Sequence, residues 1–94
     1  MAKVICQGDL VKSLAGRDGG ETFLVVKIDG KFAYLTDGKI RKVKSLKKKN
    51  VKHLEKFSNA SLFELAKKIE RGLPTGNKRV YLAVRTEKEK IQED

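Results

Sequence analysis

Apolar and polar residues alternate through much of the first 57 positions, and the alternating runs stop at glycines. Gly8-Asp9-Leu10-Val11-Lys12-Ser13-Leu14 reads as a short first strand ended by the turn cluster Gly16-Arg17-Asp18-Gly19-Gly20. Residues 22–28 and 31–36 are rich in β-branched and aromatic side chains, and residues 39–44 alternate basic with apolar. Between them lie Asp29-Gly30 and Asp37-Gly38. Asp-Gly is a preferred pair for a two-residue type I′ hairpin, in which both turn residues take positive φ. The pattern therefore predicts a three-stranded meander with two tight tips. Its register sets Ile28 against Lys31, Val26 against Ala33, Leu24 against Leu35 and Leu35 against Ile40. Leu24, Val26, Ala33, Leu35 and Ile40 then share an apolar face, and Val11 joins the core from the first strand. The opposite face carries Phe23, Val25, Lys27, Phe32, Tyr34, Arg41 and Val43, with Tyr34 across from Arg41 and Lys27 across from Phe32.

The period changes after residue 60. Ser61-Leu62-Phe63-Glu64 fits a capping box, and Leu62, Leu65, Ala66 and Ile69 repeat as one stripe of an amphipathic helix near 61–71. Gly72 and Pro74 supply its stop. The stripe needs an apolar surface, and the outer face of Phe23, Val25, Phe32 and Tyr34 offers one. The competing use of that face is a stacking platform for RNA bases, and the two uses are compatible at opposite ends of the sheet. Residues 77–94 match a strand at Val80, Leu82 and Val84 and a helix at Val80, Val84 and Ile91. Their Glu/Lys-rich end favours a helix that frays at its last residues.

Composition narrows the class. Ninety-four residues suit one small domain. The lone Cys6 has no disulfide partner in the chain, which fits a reducing cytoplasm. Cys6 and His53 could supply only two of the four ligands of a structural zinc site, so no metal or other cofactor is expected. Gln7, Gly8 and Asp9 interrupt any signal-like apolar run, and no window approaches the ~18 apolar residues of a membrane span. The expectation is a soluble cytoplasmic protein without a membrane partner.

Charge is unevenly placed. The net charge is +10, yet residues 1–38 hold five basic and five acidic side chains. Residues 39–56 hold nine basic against one acidic, and residues 57–94 eight against six. Such concentration opposes folding through self-repulsion unless a polyanion relieves it. Catalytic residue types are sparse. The single histidine lies among lysines, and the Gly16–Gly20 cluster lacks both a Walker pattern and a following helix, so an enzyme is not expected. The run Arg41-Lys42-Val43-Lys44-Ser45-Leu46-Lys47-Lys48-Lys49-Asn50-Val51-Lys52-His53-Leu54 points to nucleic acid, because each cation set against a phosphate releases condensed counterions. Apolar Val51, Leu54 and Phe57 would anchor its far end and lower the ordering cost of binding.

Gly8–Ser13, followed by Ala15-Gly16-Arg17-Asp18-Gly19-Gly20 and Phe23-Leu24-Val25-Val26, resembles a KOW motif. The continuation Thr36-Asp37-Gly38-Lys39-Ile40-Arg41 and Lys47-Lys48-Lys49-Asn50-Val51-Lys52-His53-Leu54 is similar to short bacterial relatives of the large-subunit ribosomal proteins of the fourteen-e and twenty-seven-e types. The likeness covers residues 6–57. It implies a small SH3-like β-barrel over residues 1–57, with its basic segment at 39–56. Residues 58–94 would add one or two α-helices packed on the barrel, making a mainly β fold with a helical extension. It also implies RNA contacts from the first barrel loop and the basic segment, here Arg17 and the run from Arg41 to His53. Gly19 departs from the pattern, since relatives often place a basic residue there, and the weight shifts to the later lysines. The candidate RNA-binding set is Lys12, Arg17, Lys27, Tyr34, Arg41, Lys42, Lys44, Lys47, Lys48, Lys49, Asn50, Lys52 and His53. The expected partner is ribosomal RNA, with ribosomal proteins as possible neighbours and a monomer when free. The alternative is a KOW barrel that docks on a protein of the transcription or translation machinery.

Overall fold

A computed structural model of the chain describes residues 4–92. Five antiparallel strands are followed by two helices: β1 (Asp9–Ser13), β2 (Thr22–Asp29), β3 (Phe32–Thr36), β4 (Lys47–Asn50), β5 (Leu54–Ser61), α1 (Phe63–Glu70) and α2 (Asn77–Gln92). The sheet order is β4-β3-β2-β1-β5, and a single 3-10 turn, Val51–His53, joins the two edge strands. The sheet curls barrel-like around an inner core of Ile5, Val11, Phe23, Val25, Ala33, Leu35 and Leu54. Its outer face meets the helices through Leu10, Leu24 and Val26, which pack against Leu65, Ala66, Ile69, Val80 and Val84. The fold is thus mainly β with a helical extension. No helix among the described residues is long and apolar enough to cross a membrane.

β2 lines both cores, as β1 does through Leu10 and Val11. Its run Phe23-Leu24-Val25-Val26 is buried throughout, as a strand covered on both faces requires. Plain alternation gives this much, and a bulge at Val26 then changes the faces of the residues beyond it. Ile28 pairs with Ala33 and Lys27 with Tyr34, but Val25 pairs with the very next residue, Leu35, so Val26 has no cross-strand partner. The Val26 carbonyl instead accepts a hydrogen bond from Gln7 Nε2 at 2.9 Å, and that amide also reaches Glu70 Oε1 of α1 at 2.6 Å.

This register corrects the expected one. Asp29 stays in the strand opposite Phe32, leaving Gly30 and Lys31 as the turn. Only Gly30 has positive φ (62°), the pattern of a type II′ rather than a type I′ turn. Every pairing near the tip therefore moves, and the bulge then exchanges faces. Leu24 and Val26 point to the helices, while Ala33 and Leu35 point to the inner core. The amphipathic stripe does not cover Phe23, Val25, Phe32 or Tyr34. It docks on Leu10, Leu24 and Val26, so Tyr34 and Phe32 keep part of their surface in solvent.

Asp37-Gly38 is not a hairpin tip, and residues 39–44 are not a strand. Residues 37–46 form a closed loop whose hub is the Arg41 carbonyl. It accepts hydrogen bonds from the backbone N–H groups of Asp37 and Gly38, both at 3.1 Å, and from Thr36 Oγ1 at 2.6 Å. Asp37 Oδ1 in turn accepts from the N–H groups of Lys39 and Arg41, both at 2.9 Å. The local side chain captures the donors that a strand ladder would have needed. Ile40, expected in the core, is consequently 72% exposed.

The C-terminal elements follow the sequence more closely. Leu65, Ala66 and Ile69 are buried as the stripe predicts, and Leu62 is partly buried. The capping box does not form: Ser61 is the last residue of β5, paired with Asp9, and Leu62 is the N-cap without a side-chain bond. The barrel strand thus runs past residue 57, where the sequence reading ended it. Gly72 N–H donates to the Ile69 carbonyl and Leu73 N–H to that of Lys68, a Schellman closure of α1. Residues 77–92 are helical, with Val80 and Val84 buried. The expected fraying at residues 93–94 lies outside the described residues.

Leu24→Ala and Leu35→Ala should each lower unfolding free energy by about 2–5 kcal/mol as cavity-forming changes in the two cores. Ile40→Ala should stay within about 0.5 kcal/mol of the parent. Urea denaturation of the three variants measures this. A large loss at Ile40 would contradict the loop conformation of residues 37–46.

Candidate nucleic-acid interface

β4 has the sequence Lys47-Lys48-Lys49-Asn50, and strand alternation sends its lysines two ways. Lys47 and Lys49, paired with Leu35 and Ala33, turn toward the first loop and meet Asp18. Lys49 Nζ lies 3.0 Å from Asp18 Oδ1 and donates to the Ala15 carbonyl at 2.9 Å. Lys47 Nζ lies 3.1 Å from Oδ2. Ser13 Oγ, 2.8 Å from Oδ1, donates a further hydrogen bond to the carboxylate. The side chains of Lys49 and Asp18 are only 12% and 16% exposed. Burial by itself pushes the Asp18 carboxyl up, but hydrogen bonds from Ser13, Lys49 and Lys47 and the charge of Lys47 outweigh it. The result is a pKa of about 2, down from 3.8. Asp18 therefore latches the first loop to the edge strand and compensates two lysines of the basic run. The sequence reading did not identify this role, since Asp18 lies about thirty residues from its partners.

Lys48 turns the other way. It pairs with Tyr34, and Lys27 faces Tyr34 from β2, which replaces the expected Tyr34–Arg41 and Lys27–Phe32 pairs. Lys48 Nζ stands 4.4 Å from the centroid of Phe32, Lys31 Nζ 5.8 Å from the same ring, and Lys27 Nζ 4.8 Å from that of Tyr34. Each such contact contributes about 0.5–1 kcal/mol at an exposed site and fixes an ammonium group beside a π face. Phe32 and Lys31 were outside the candidate set. The signal for them was available: Phe32 and Tyr34 sit two apart on one strand face.

The other candidates divide by location. Arg41, Lys42 and Lys44 are exposed on the 37–46 loop. Arg17 is exposed on the first loop and shares an open groove with Phe23, Ile40, Arg41 and Lys47, which Asp18, Glu21 and Asp37 also line. Lys12 is exposed on β1, two strands from β3 and opposite Glu55. Asn50 Oδ1 accepts from the N–H of Lys52 at 3.0 Å and caps the 3-10 turn. Lys52 is exposed, whereas His53 is half-buried and its carbonyl accepts from Leu14 N–H at 2.8 Å. Among the described residues no group of three or more His, Cys, Asp or Glu is placed to hold a metal ion. Comparison with protein-family models and with curated proteins finds no match for this chain.

Because its folded-state pKa is depressed, Asp18 adds stability that is complete above the unfolded value near 3.8 and is lost as pH falls through about 2. Asp18→Asn should cost about 1–2 kcal/mol at pH 7, after allowing for solvent screening of the pair. The difference from the parent should shrink between pH 4 and 2, as followed by urea midpoints across that range. A difference independent of pH would dissociate the latch from the Asp18 charge.

Proposed function

We propose that this chain is a non-enzymatic RNA-binding protein, associated with ribosomal RNA of the large subunit. The observation that carries the reading is the outward pair Phe32 and Tyr34, interleaved with Lys27, Lys31 and Lys48 and left uncovered by the helices. Aromatic faces stack on unpaired bases, and ammonium groups beside them meet the phosphates that follow. The exposed cations of the 37–46 loop and Arg17 of the first loop extend the same chemistry. The order of residues shared with the KOW motif supports the ribosomal assignment. Within the lysine triplet, Lys48 is the member that reads phosphate, while Lys47 and Lys49 hold the first loop.

Binding to an unstructured oligoribonucleotide, measured by fluorescence anisotropy over a range of salt, tests this. Tyr34→Ala and Phe32→Ala should each cost about 1–3 kcal/mol and leave the salt dependence unchanged. Lys48→Gln should flatten the slope of log K against log[salt] by about 0.7, one phosphate contact on a single strand. Binding that ignores both the rings and the salt would overturn the reading. In a sucrose gradient of lysate, the chain should travel with large subunits and leave them at high salt; co-migration only with a protein complex would favour the docking barrel instead.

A further inference from the structure

The helical extension was expected only to buttress the barrel, yet it is bound to the most cationic loop of the chain. Asn77, the first residue of α2, accepts a hydrogen bond at its Oδ1 from Val43 N–H at 2.8 Å. Gly38 has φ +75° and sits directly against the Asn77 carbonyl; a Cβ there would lie 2.7 Å from Tyr81 N. Val43 and Leu46 pack on the core that contains Val80 and Val84, and Lys39 Nζ stands 5.5 Å from the centroid of Tyr81. A ten-residue loop is thereby held by a side-chain tie, a backbone approach that only glycine allows, and apolar burial. Lys39, Arg41, Lys42 and Lys44 on the loop and Lys78 and Arg79 on the first turn of α2 are all exposed. Asp37, the carboxylate on the loop itself, turns its Oδ1 to two backbone N–H groups, while Glu21 and Glu89 line the cleft between Lys39 and α2.

β3 leads from the rings to this region. Phe32, Tyr34 and Thr36 alternate along one strand, and Thr36 Oγ1 donates to the Arg41 carbonyl at 2.6 Å. The four residue steps from Phe32 to Thr36 span about 13 Å, and a small single-strand-binding barrel covers roughly 4–16 nucleotides. We infer that the 37–46 loop and the first turn of α2 form one preordered cationic shelf that takes the sugar–phosphate backbone of a single RNA strand continuing from the Phe32/Tyr34 rings. This rests on the RNA-binding reading above and assigns to the helical extension a part in the site. A loop already tied to a helix gives up little conformational entropy when it meets phosphates, so its cations contribute more than the same charges on a free tail.

The experiment uses the full chain and two fluorescein-labelled oligouridylates, of about 4 and about 12 nucleotides, spanning the range of site sizes. Lys78→Gln combined with Arg79→Gln should leave the melting temperature and the affinity for the short oligonucleotide unchanged. It should weaken the long one about threefold to tenfold and flatten its salt slope by about 1.4, two single-strand contacts. Lys42→Gln combined with Lys44→Gln should show the same length dependence from the loop side. Asn77→Ala removes the tie without removing charge and should weaken the long oligonucleotide with the slope intact. If both double variants bind the long oligonucleotide as the parent does while Tyr34→Ala weakens it, the shelf is not part of the site and the ring-based reading stands. Equal losses on both lengths would also remove the shelf as a continuation. If the parent binds neither oligonucleotide, both readings fall.

Discussion

One extra residue in β2 decides what the outer face of the sheet presents. Val26 has no partner across the β2–β3 ladder, and its insertion moves every later residue of the strand to the other face. Phe23 and Val25 face inward, Leu24 and Val26 face the helices, and beyond the bulge Ile28 returns to the inner core. Without the exchange, Lys27 would lie on the inner side, where an unpaired ammonium group is costly to bury. With it, Lys27 stands over Tyr34 on the outer face. The carbonyl freed by the bulge does not go unsatisfied, because Gln7 bonds it and carries the connection on to Glu70 of α1. The irregularity that turns the strand is thus also a point where the extension is fastened to the sheet.

Electrostatics follow from this geometry. A segment with nine basic residues and one acidic would strain any small fold if every charge were equivalent. The structure makes them inequivalent. Two lysines of β4 share one carboxylate, one lies against an aromatic ring, and four further cations of the segment project from a loop secured to α2. The strong local acidity of Asp18 is a consequence of how many donors converge on it. A chain that binds a polyanion profits from keeping part of its positive charge internally compensated, since the loops that present the remainder are then fixed.

What was legible in the sequence divides by the range of the cause. The α1 stripe of Leu65, Ala66 and Ile69 was readable because helical periodicity is a property of neighbours on one turn. The strand content of residues 9–36 was readable for the same reason. The register was not, because a one-residue bulge leaves no mark in an apolar run such as Phe23-Leu24-Val25-Val26. Residues 39–44 imitate a strand in their alternation, but the carboxylate of Asp37 draws their N–H groups into a loop. Tyr34 and Lys27 were recognised as members of one face, although with the wrong partners, since face membership survives an error of two in register. The Asp18 latch depends on contacts about thirty residues apart in the chain, and no local pattern encodes them.

β4 is an edge strand, and three of its four residues are lysines. A bare sheet edge is a template on which a second copy of the same strand could assemble. Here, self-pairing would bring rows of ammonium groups to within about 5 Å of one another and strip water from them. The edge is therefore guarded by its own composition. That guard is electrostatic, so it weakens when the charges are neutralised: an excess of short polyanions that screens Lys48 without filling the surrounding surface would expose the same strand to self-association.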